Sequence, residues 1–465
     1  MQRIFAIAWL TWKAALRFKL FLVIAVLLIL AVVGLPLVIK DDGTAQGFTQ
    51  IILTYTLSAI TALLGLSTLW LSCGTLARDI EECQIQIVAT KPIARWQIWL
   101  GKWLGIISLN AALLAISGGC VFGLLQWRAT KLPAAEQKIL REQVLVARGS
   151  AREKSFDAEI DAAAEQTLKE RLKNNPELAR SADLPKVQKD IREQVQAELE
   201  VVQPGYTSRP WQIDLGFQKD FLRDKPLQLR VKFNAAQNSA SGTFDALWQV
   251  GVPGTTNFWR TETPMSLAPD TFHEFQIPPN LFDANGVMTI VFVNPNNVTL
   301  RFPLADGLEV LYPEGGFALN FARGLAIIFC WMALLAALGL AAASFLSFPV
   351  AAFFSLALLV VILSSGTLAD AVETGTVVGG NEETGVMGHS GADAVLIPMF
   401  KGILAVTRLI ENFSPIDALS TGRAITWTEL GLAVGQIVLL LGGLVALAGI
   451  MLFQRRELAT AQGNQ

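Results

Sequence analysis

A polar interruption between two long apolar runs carries the residues of this chain best suited to chemistry, and it extends from Leu76 to Leu104. Its side chains form an acidic group followed by a basic group: Asp79, Glu81, Glu82, Lys91, Arg95 and Lys102. Basic residues beside membrane spans mark the cytoplasmic side, so this loop is predicted to face the cytoplasm. The residues between the two groups are predicted to form a short helix. A short helix in this position is suited to receive force from a soluble protein.

Catalytic chemistry is not indicated by the sequence. No P-loop is present to cradle ATP phosphates, because Gly101-Lys102 lacks the preceding glycine and the following hydroxyl residue. No serine–histidine–aspartate set, pair of catalytic carboxylates or GxSxG motif stands out. The two histidines, His273 and His389, and the absence of CxxC spacing leave the usual zinc sites unassembled. We therefore expect a chain that is not an enzyme and binds no cofactor itself.

The composition indicates a membrane protein. Of the 465 residues, 52% are hydrophobic and only 16% are charged, which is too apolar for an ordinary soluble protein. The formal net charge of −2 gives no electrostatic reason to expect a nucleic acid as partner. The cysteines all lie in or beside apolar runs, which argues against a disulfide scaffold. They are Cys73, Cys83, Cys120 and Cys330.

Hydropathy and length predict six membrane-spanning helices. They cover about 20–39, 51–73, 100–125, 321–345, 350–369 and 430–453. Basic residues precede the first span and follow the last: Lys13, Arg17, Lys19, Arg455 and Arg456. Both termini are therefore predicted to lie in the cytoplasm, which requires an even number of crossings.

The segment from Ile4 to Phe18 precedes the first span and has apolar residues at helical spacing. Lys13 and Arg17 lie on another side of this helix. The pattern predicts an amphipathic helix along the membrane surface, with its tryptophans at headgroup depth. The alternative is an N-terminal extension of the first span.

A long polar insert separates the third and fourth spans and changes character halfway. Strong helix formers and two apolar stripes at 128–203 predict helices that fold back on one another. Period-two alternation and turn signals at 204–316 predict an antiparallel β-sandwich. Its clearest strands are predicted at 228–233, 272–277 and 287–293.

Aromatic residues of this predicted sandwich have two interpretations. They line a sugar-binding face, or they form the core of a sandwich that has no disulfides, which is the commoner role. The residues in question are Trp211, Phe233, Trp248, Trp259 and Phe275.

Three short motifs resemble those of the permease subunits of type-2 ABC transporters. The first follows the second span and reads Thr90-Lys91-Pro92-Ile93-Ala94-Arg95, then Leu100-Gly101-Lys102. The second is the tight turn 345–350 and the third is the ending 453–458. The second motif and the large insert are similar to those of a bacterial subgroup of these permeases. Cys83-Gln84 stands where the family usually has a Gly-Thr pair, so the match is partial.

This resemblance implies that a coupling helix in the loop 76–99 docks on a separate ATPase subunit, which binds ATP and Mg²⁺. It also implies a homodimer, or a heterodimer with a related permease, in contact with membrane lipid. The expected location is the bacterial inner membrane. The residues then expected to couple to the ATPase are Asp79, Glu81, Glu82, Gln84, Ile85, Val88, Lys91, Pro92, Arg95, Gly101 and Lys102.

The predicted fold class is a mainly α membrane protein with six transmembrane helices and an inserted soluble α+β domain. Its divisions are 1–127 (interfacial helix and first three spans), 128–203 (helical region), 204–316 (β-sandwich) and 317–465 (last three spans). An outer loop is predicted at 370–429, with an amphipathic helix at 395–411 that is re-entrant or lies on the surface. The alternative function is a membrane-anchored extracytoplasmic module that binds carbohydrate or protein and transports nothing.

Overall fold

A computed structural model describes most of the chain. The described residues are 2–17, 19–38, 44–82, 93–140, 144–174, 184–237, 239, 241–304, 306–374, 392–411 and 413–456. Contacts divide the chain into two units, of which the first is Met1–Ala147 with Gly315–Gln465 and the second is Arg148–Glu314.

The first unit is mostly helical, and the second unit also contains helices. In chain order the α-helices are α1 (Gln2–Arg17), α2 (Lys19–Ile29), α3 (Leu35–Val38), α4 (Ala45–Glu81), α5 (Arg95–Ala129), α6 (Ala134–Ile139), α7 (Asp157–Asn174), α8 (Leu184–Glu200), α9 (Lys219–Leu222), α10 (Phe317–Ala343), α11 (Phe348–Leu363), α12 (Ser365–Thr374), α13 (Asp393–Glu411), α14 (Pro415–Ser420), α15 (Trp427–Ala433) and α16 (Gly443–Arg455). π-Helical segments lie at Leu30–Gly34 and Val434–Gly442.

The strands are short and belong almost entirely to the second unit. They are β1 (Val146–Ala151), β2 (Val201–Val202), β3 (Thr207–Asp214), β4 (Leu227–Val231), β5 (Asn234–Ala235), β6 (Phe244–Gly251), β7 (Phe258–Arg260), β8 (Met265–Leu267), β9 (His273–Ile277), β10 (Val287–Asn294), β11 (Leu300–Arg301) and β12 (Leu308–Gly316).

Four helical stretches among the described residues are long and apolar enough to cross a bilayer. They are Thr49–Glu81, Arg95–Ala129, Phe317–Ala343 and Trp427–Arg455. These stretches contain, to within a few residues, the second, third, fourth and sixth predicted spans, so the structure supports a membrane-embedded protein.

The six-span prediction is not confirmed, because the first and fifth predicted spans contain shorter apolar helices, Val23–Gly34 and Phe348–Ile362. The fifth was predicted to continue to Ala369. Instead, α11 ends at Leu363, and α12 begins at Ser365 after a turn at Ser364. Serine competes for backbone hydrogen bonds and favours a helix end.

Small residues let the long apolar helices approach closely. A methyl group on Gly339 of α10 would lie 1.9 Å from Ser72 Oγ of α4. A buried polar contact also joins α4 and α5, where Asn110 Nδ2 donates to Thr68 Oγ1 at 2.8 Å. Close backbone approach and interhelical hydrogen bonds are what stabilise helix pairs where the surroundings are as apolar as the side chains.

The segment before the last apolar helix is fixed to α10. Asn320 Nδ2 donates to the backbone oxygen of Arg423 at 2.7 Å, and Asn320 Oδ1 accepts from the backbone N–H of Ile425 at 2.7 Å. Within the predicted outer loop, α13 exposes Val395 and Met399 on one side. This helix is amphipathic, as its sequence predicts.

The second unit is an antiparallel β-sandwich. One sheet has the order β1-β12-β4-β9, the next has β3-β10-β6-β7 with β8 on β6, and a small third sheet has β2-β11-β5. β4, β9 and β10 lie at the three strands that were predicted most clearly. Leu229, Val310, Ile290 and Trp248 belong to one buried cluster that includes residues of both larger sheets.

The aromatic residues form this core. Trp211, Phe233 and Trp248 are at most 4% exposed, and Trp259 and Phe275 pack against the same cluster. Trp211 and Trp248 lie 6.2 Å apart between ring centroids. Trp211, Phe233 and Trp248 therefore have the core role that the sequence favours, whereas Trp259 and Phe275 are only partly buried.

Two helices, α7 and α8, lie between β1 and β2 in the region that was predicted to be helical. Arg192 of α8 forms ion pairs with Asp157 and Asp161 of α7, at 3.3 and 2.8 Å. The strand β1 lies in this region and was not predicted. Its Gly149 is required by packing, because a methyl group there would lie 2.4 Å from the Tyr312 ring.

A buried charge ladder crosses the first sheet. Strand register places Arg230 opposite Glu309 on one side and opposite Glu274 on the other. Arg230 Nη1 lies 3.2 Å from Glu309, and Arg148 Nη1 lies 2.8 Å from Glu274. Each buried charge has an opposite charge beside it, which is the condition for keeping such residues inside a fold.

Candidate functional site

The end of α4 changes abruptly from apolar to charged residues. A lysine of α5 forms hydrogen bonds with it. Lys102 is only 7% exposed. Its Nζ lies 2.5 Å from Asp79 Oδ2 and 2.8 Å from the backbone oxygen of Thr75. A buried ammonium group requires a counter-charge and acceptors, so this contact fixes the start of α5 to the end of α4.

Arginine side chains cap the C-terminal ends of two other apolar helices. Arg95 Nη1 donates to the backbone oxygens of Gln454 and Arg456, both at 2.8 Å, at the end of α16. Arg456 Nη1 donates in turn to the oxygens of Ala343 and Ser344, both at 3.3 Å, at the end of α10. The last carbonyl groups of a helix lack intrahelical partners and carry partial negative charge, which guanidinium groups satisfy.

A carboxylate makes the opposite contact at the start of α11. Glu81 Oε1 accepts a hydrogen bond at 2.9 Å from the backbone N–H of Phe348. A helix N-terminus carries partial positive charge, so a carboxylate stabilises it. The guanidinium of Arg78 lies 4.5 Å from the centroid of the Phe348 ring, which adds a cation–π contact to the same junction.

The helix α1 packs directly on the first turns of α5. Methyl groups on Gly101 and Gly105 would lie 2.7 Å from Ile7 Cβ and from Thr11 Cβ, respectively. Trp12 Nε1 also donates to Ser108 Oγ at 2.8 Å. The glycines at this spacing therefore provide the groove in which α1 lies.

The structure brings together the described members of the predicted coupling set. Asp79, Glu81, Arg95 and Lys102 each contact a neighbouring helix, and Gly101 serves the packing of α1. Glu82 is exposed at the C-cap of α4. The remaining predicted residues lie outside the described residues: Gln84, Ile85, Val88, Lys91 and Pro92.

Sequence reasoning did not identify the residues of one helix that cap the end of another. Arg456 was interpreted as a marker of the cytoplasmic side and as part of the motif 453–458, and Phe348 as part of a turn. The one sequence signal for capping is the position of Arg456 just beyond an apolar helix, where a basic residue complements the helix dipole. Which helix it caps depends on packing and cannot be read from spacing.

These contacts can transmit a displacement between helices. The residues that flank 83–92, a segment outside the described residues, bind α5, α11 and α16, and Arg456 extends these contacts to α10. Polar contacts to backbone atoms are directional, and they join these helix ends to one another. We refer to the residues Asp79, Glu81, Arg95, Lys102 and Arg456 as the cross-capping cluster.

No family model, curated protein or solved structure matches this chain. Functional inference therefore rests on the residues and contacts of the protein itself.

Proposed function

We propose that this chain is the membrane-spanning permease subunit of an ATP-driven ABC exporter. The observation that carries the proposal is the cross-capping cluster, in which the charged residues on both sides of the segment 83–92 bind the ends of other apolar helices. A chain whose spans only anchor a soluble domain has no use for such a connection. A subunit that receives mechanical work at one loop requires it.

In this proposal a separate ATPase subunit binds ATP and Mg²⁺ and docks on the loop 83–92 and on Glu82. Movement of the loop pulls on α4 through its covalent end and on α5 through the pair of Lys102 with Asp79. Arg95 and Arg456 pass the displacement to α16 and α10. The helices then change their packing as a group, which is what alternating access to a pathway needs.

The assembly and location follow from the same proposal. Two copies, or this chain and a related permease, form the pathway in the bacterial inner membrane, with both chain termini in the cytoplasm. The second unit lies outside and guards or shapes the exit. If an ATPase gene lies next to the gene for this chain, its product is the partner to be used in experiments.

Charge reversal at Glu82 tests the docking site. Glu82 is chosen because it is exposed at the C-cap of α4, and Glu81 is not chosen because it caps α11. The variant Glu82→Lys should release the adjacent-gene ATPase during co-purification from detergent and reduce its stimulated ATP hydrolysis several-fold. The matched variant Glu159→Lys, an equal charge change at an exposed position of the second unit, should change neither.

Unchanged ATPase stoichiometry and activity in Glu82→Lys, with the loop 83–92 also replaceable by a glycine–serine linker, would refute the coupling role. If neither the wild type nor any variant binds the ATPase, the chain is not a permease of this kind.

A further inference from the structure

A cavity of about 280 Å³ lies within the first unit, between α1, α2, α4 and α5. Its lining is mainly apolar and includes Ile24, Trp70, Leu71, Leu109 and Leu113. Trp70 is 47% exposed, so the cavity reaches the outer face of α4. The volume is slightly below the range for small-molecule pockets, about 300–1,000 Å³.

The cavity has the depth of one bilayer leaflet. Its lining along α4 runs from Ser67 to Arg78, which corresponds to about 16 Å of α-helix. Arg78 lies where the apolar part of α4 ends and the charged part begins. The cavity therefore extends from the membrane boundary to about half of a hydrocarbon core that is about 30 Å thick.

The two ends of the cavity differ in chemistry. At the boundary end lies the guanidinium group of Arg78, which already contacts the Phe348 ring; its several N–H donors are of the kind that suits a phosphate oxygen. Beyond it the walls are largely hydrocarbon, with Asn110 already donating to Thr68. A cavity of this kind excludes water, and where it opens to the bilayer the occupant that suits it is a hydrocarbon chain.

We propose that this cavity binds the headgroup-proximal part of one acyl chain of an anionic phospholipid, with the lipid phosphate at Arg78. The charge at the mouth and the apolar lining match the two parts of such a lipid, and the depth matches its leaflet. The inference requires only that the long apolar helices lie in a bilayer, and it is independent of transport. The ligand stabilises α1 and α2 against α4 and α5, because it fills space that they share.

Native mass spectrometry of the full-length protein tests the site. The detergent-purified protein is titrated with 1-palmitoyl-2-oleoyl phosphatidylglycerol, with the phosphatidylcholine of the same chains, and with glycerol 3-phosphate. The wild type should retain one phosphatidylglycerol in preference to phosphatidylcholine by about fivefold, the effect of one basic residue at an anionic lipid headgroup. Glycerol 3-phosphate should not bind, because it has no acyl chain.

Two pairs of variants separate the headgroup from the chain. Arg78→Gln should abolish the preference for phosphatidylglycerol, whereas Lys13→Gln, which removes an exposed charge from α1, should retain it. Ser67→Phe fills the deep end of the cavity and should abolish retention of both lipids. The adjacent exposed position provides the control Leu66→Phe, which should bind as the wild type does.

If Ser67→Phe fails to fold, Leu113→Phe on the opposite wall replaces it. Retention of lipid by the filled variants, equal binding of glycerol 3-phosphate, or a change of oligomeric state instead of lipid count would each overturn the proposal. None of these results depends on an ATPase, so failure of this proposal is distinguishable from failure of the proposed function.

Discussion

Lys102 Nζ and Asp79 Oδ2 lie 2.5 Å apart, but the two residues are unequally buried. The lysine side chain is 9% exposed and the aspartate side chain is 34% exposed. Asp79 can therefore keep part of its hydration without its partner, whereas Lys102 cannot. Both residues were predicted to dock an ATPase, and that prediction is untested; the structure shows that they bind each other.

This asymmetry predicts unequal losses of stability. Asp79→Asn leaves a buried ammonium group with neutral acceptors only and should lower the free energy of unfolding by about 2–3 kcal/mol. Lys102→Met leaves a partly hydrated carboxylate and should cost about 1 kcal/mol. Thermal melting in detergent of both variants and the double variant measures the coupling. Equal losses in the two single variants would mean that burial of Lys102 does not determine the energetics.

The groove for α1 predicts a contrast between glycines of one helix. Gly105→Ala places a methyl group against Thr11 and should cost about 1–3 kcal/mol, the usual penalty for overpacking. Gly123→Ala on the same helix meets no atom within 4 Å and should be neutral or stabilising by up to about 1 kcal/mol. Melting temperatures in one detergent provide the comparison. A destabilised Gly123→Ala together with an unaffected Gly105→Ala would contradict the packing of α1.

The proposed orientation predicts which positions react with an impermeant thiol reagent on intact cells. In a variant lacking its native cysteines, Thr263→Cys, at an exposed position of the second unit, should be labelled. Ala461→Cys, which lies outside the described residues, should be labelled only after the cells are opened. The reverse pattern would place both termini outside and overturn the orientation.

The second unit is predicted to fold when expressed alone as residues 148–314. Its core is a continuous apolar cluster around Trp211 and Trp248, and its sequence contains no cysteine and one histidine. Its melting should be a single cooperative transition that neither reductant nor chelator changes. A broad transition, or one that appears only when 148–314 is joined to the first unit, would show that the core is incomplete.

Two carboxylates of the second unit predict opposite pH effects. Burial favours the neutral form of Glu200, but hydrogen bonds from Gln196, the Leu304 N–H and Arg301 outweigh it and lower the pKa of Glu200. Burial raises the pKa of Glu153, against weaker opposing effects of the Gln212 N–H and Arg209.

A lowered pKa contributes stability above the unfolded-state value, and this stability is lost as the pH falls through the folded-state value. Glu200→Gln should therefore cost about 2 kcal/mol at neutral pH and flatten the loss of stability in acid. Glu153→Gln removes an unfavourable buried charge and should be neutral or stabilising at neutral pH. Thermal melting of both variants between pH 7 and 3 measures these effects. If Glu200→Gln lost stability with falling pH as steeply as the wild type does, the lowered pKa of Glu200 would be contradicted.

Local patterns were sufficient for the parts of the fold that depend on local physics. The apolar runs that become α4, α5, α10 and the last helix are long enough to be recognised by hydropathy alone. The alternation at 228–233 and 287–293 predicts strands that the structure contains as β4 and β10. The aromatic core could be anticipated from the absence of disulfides.

What the sequence could not show depends on distant partners. β1 lies in a helix-rich segment, and Gly149 is needed only because Tyr312 packs against it. Arg95 and Arg456 are recognisable as charges at membrane boundaries, but the carbonyl groups that they cap belong to helices far away in the chain. The turn at Ser364 and the π-helical stretches likewise have no periodic signal.

Cross-capping also lowers the desolvation cost for a protein that covers the ends of α10, α11 and α16. An unpaired carbonyl or N–H group at a helix end is hydrated, and a protein that covers it must remove that water. The ends of α10, α11 and α16 instead have side-chain donors or acceptors within the same chain. A soluble protein that covered these helix ends would not have to remove water from unpaired backbone groups. The desolvation cost of its binding would therefore be small.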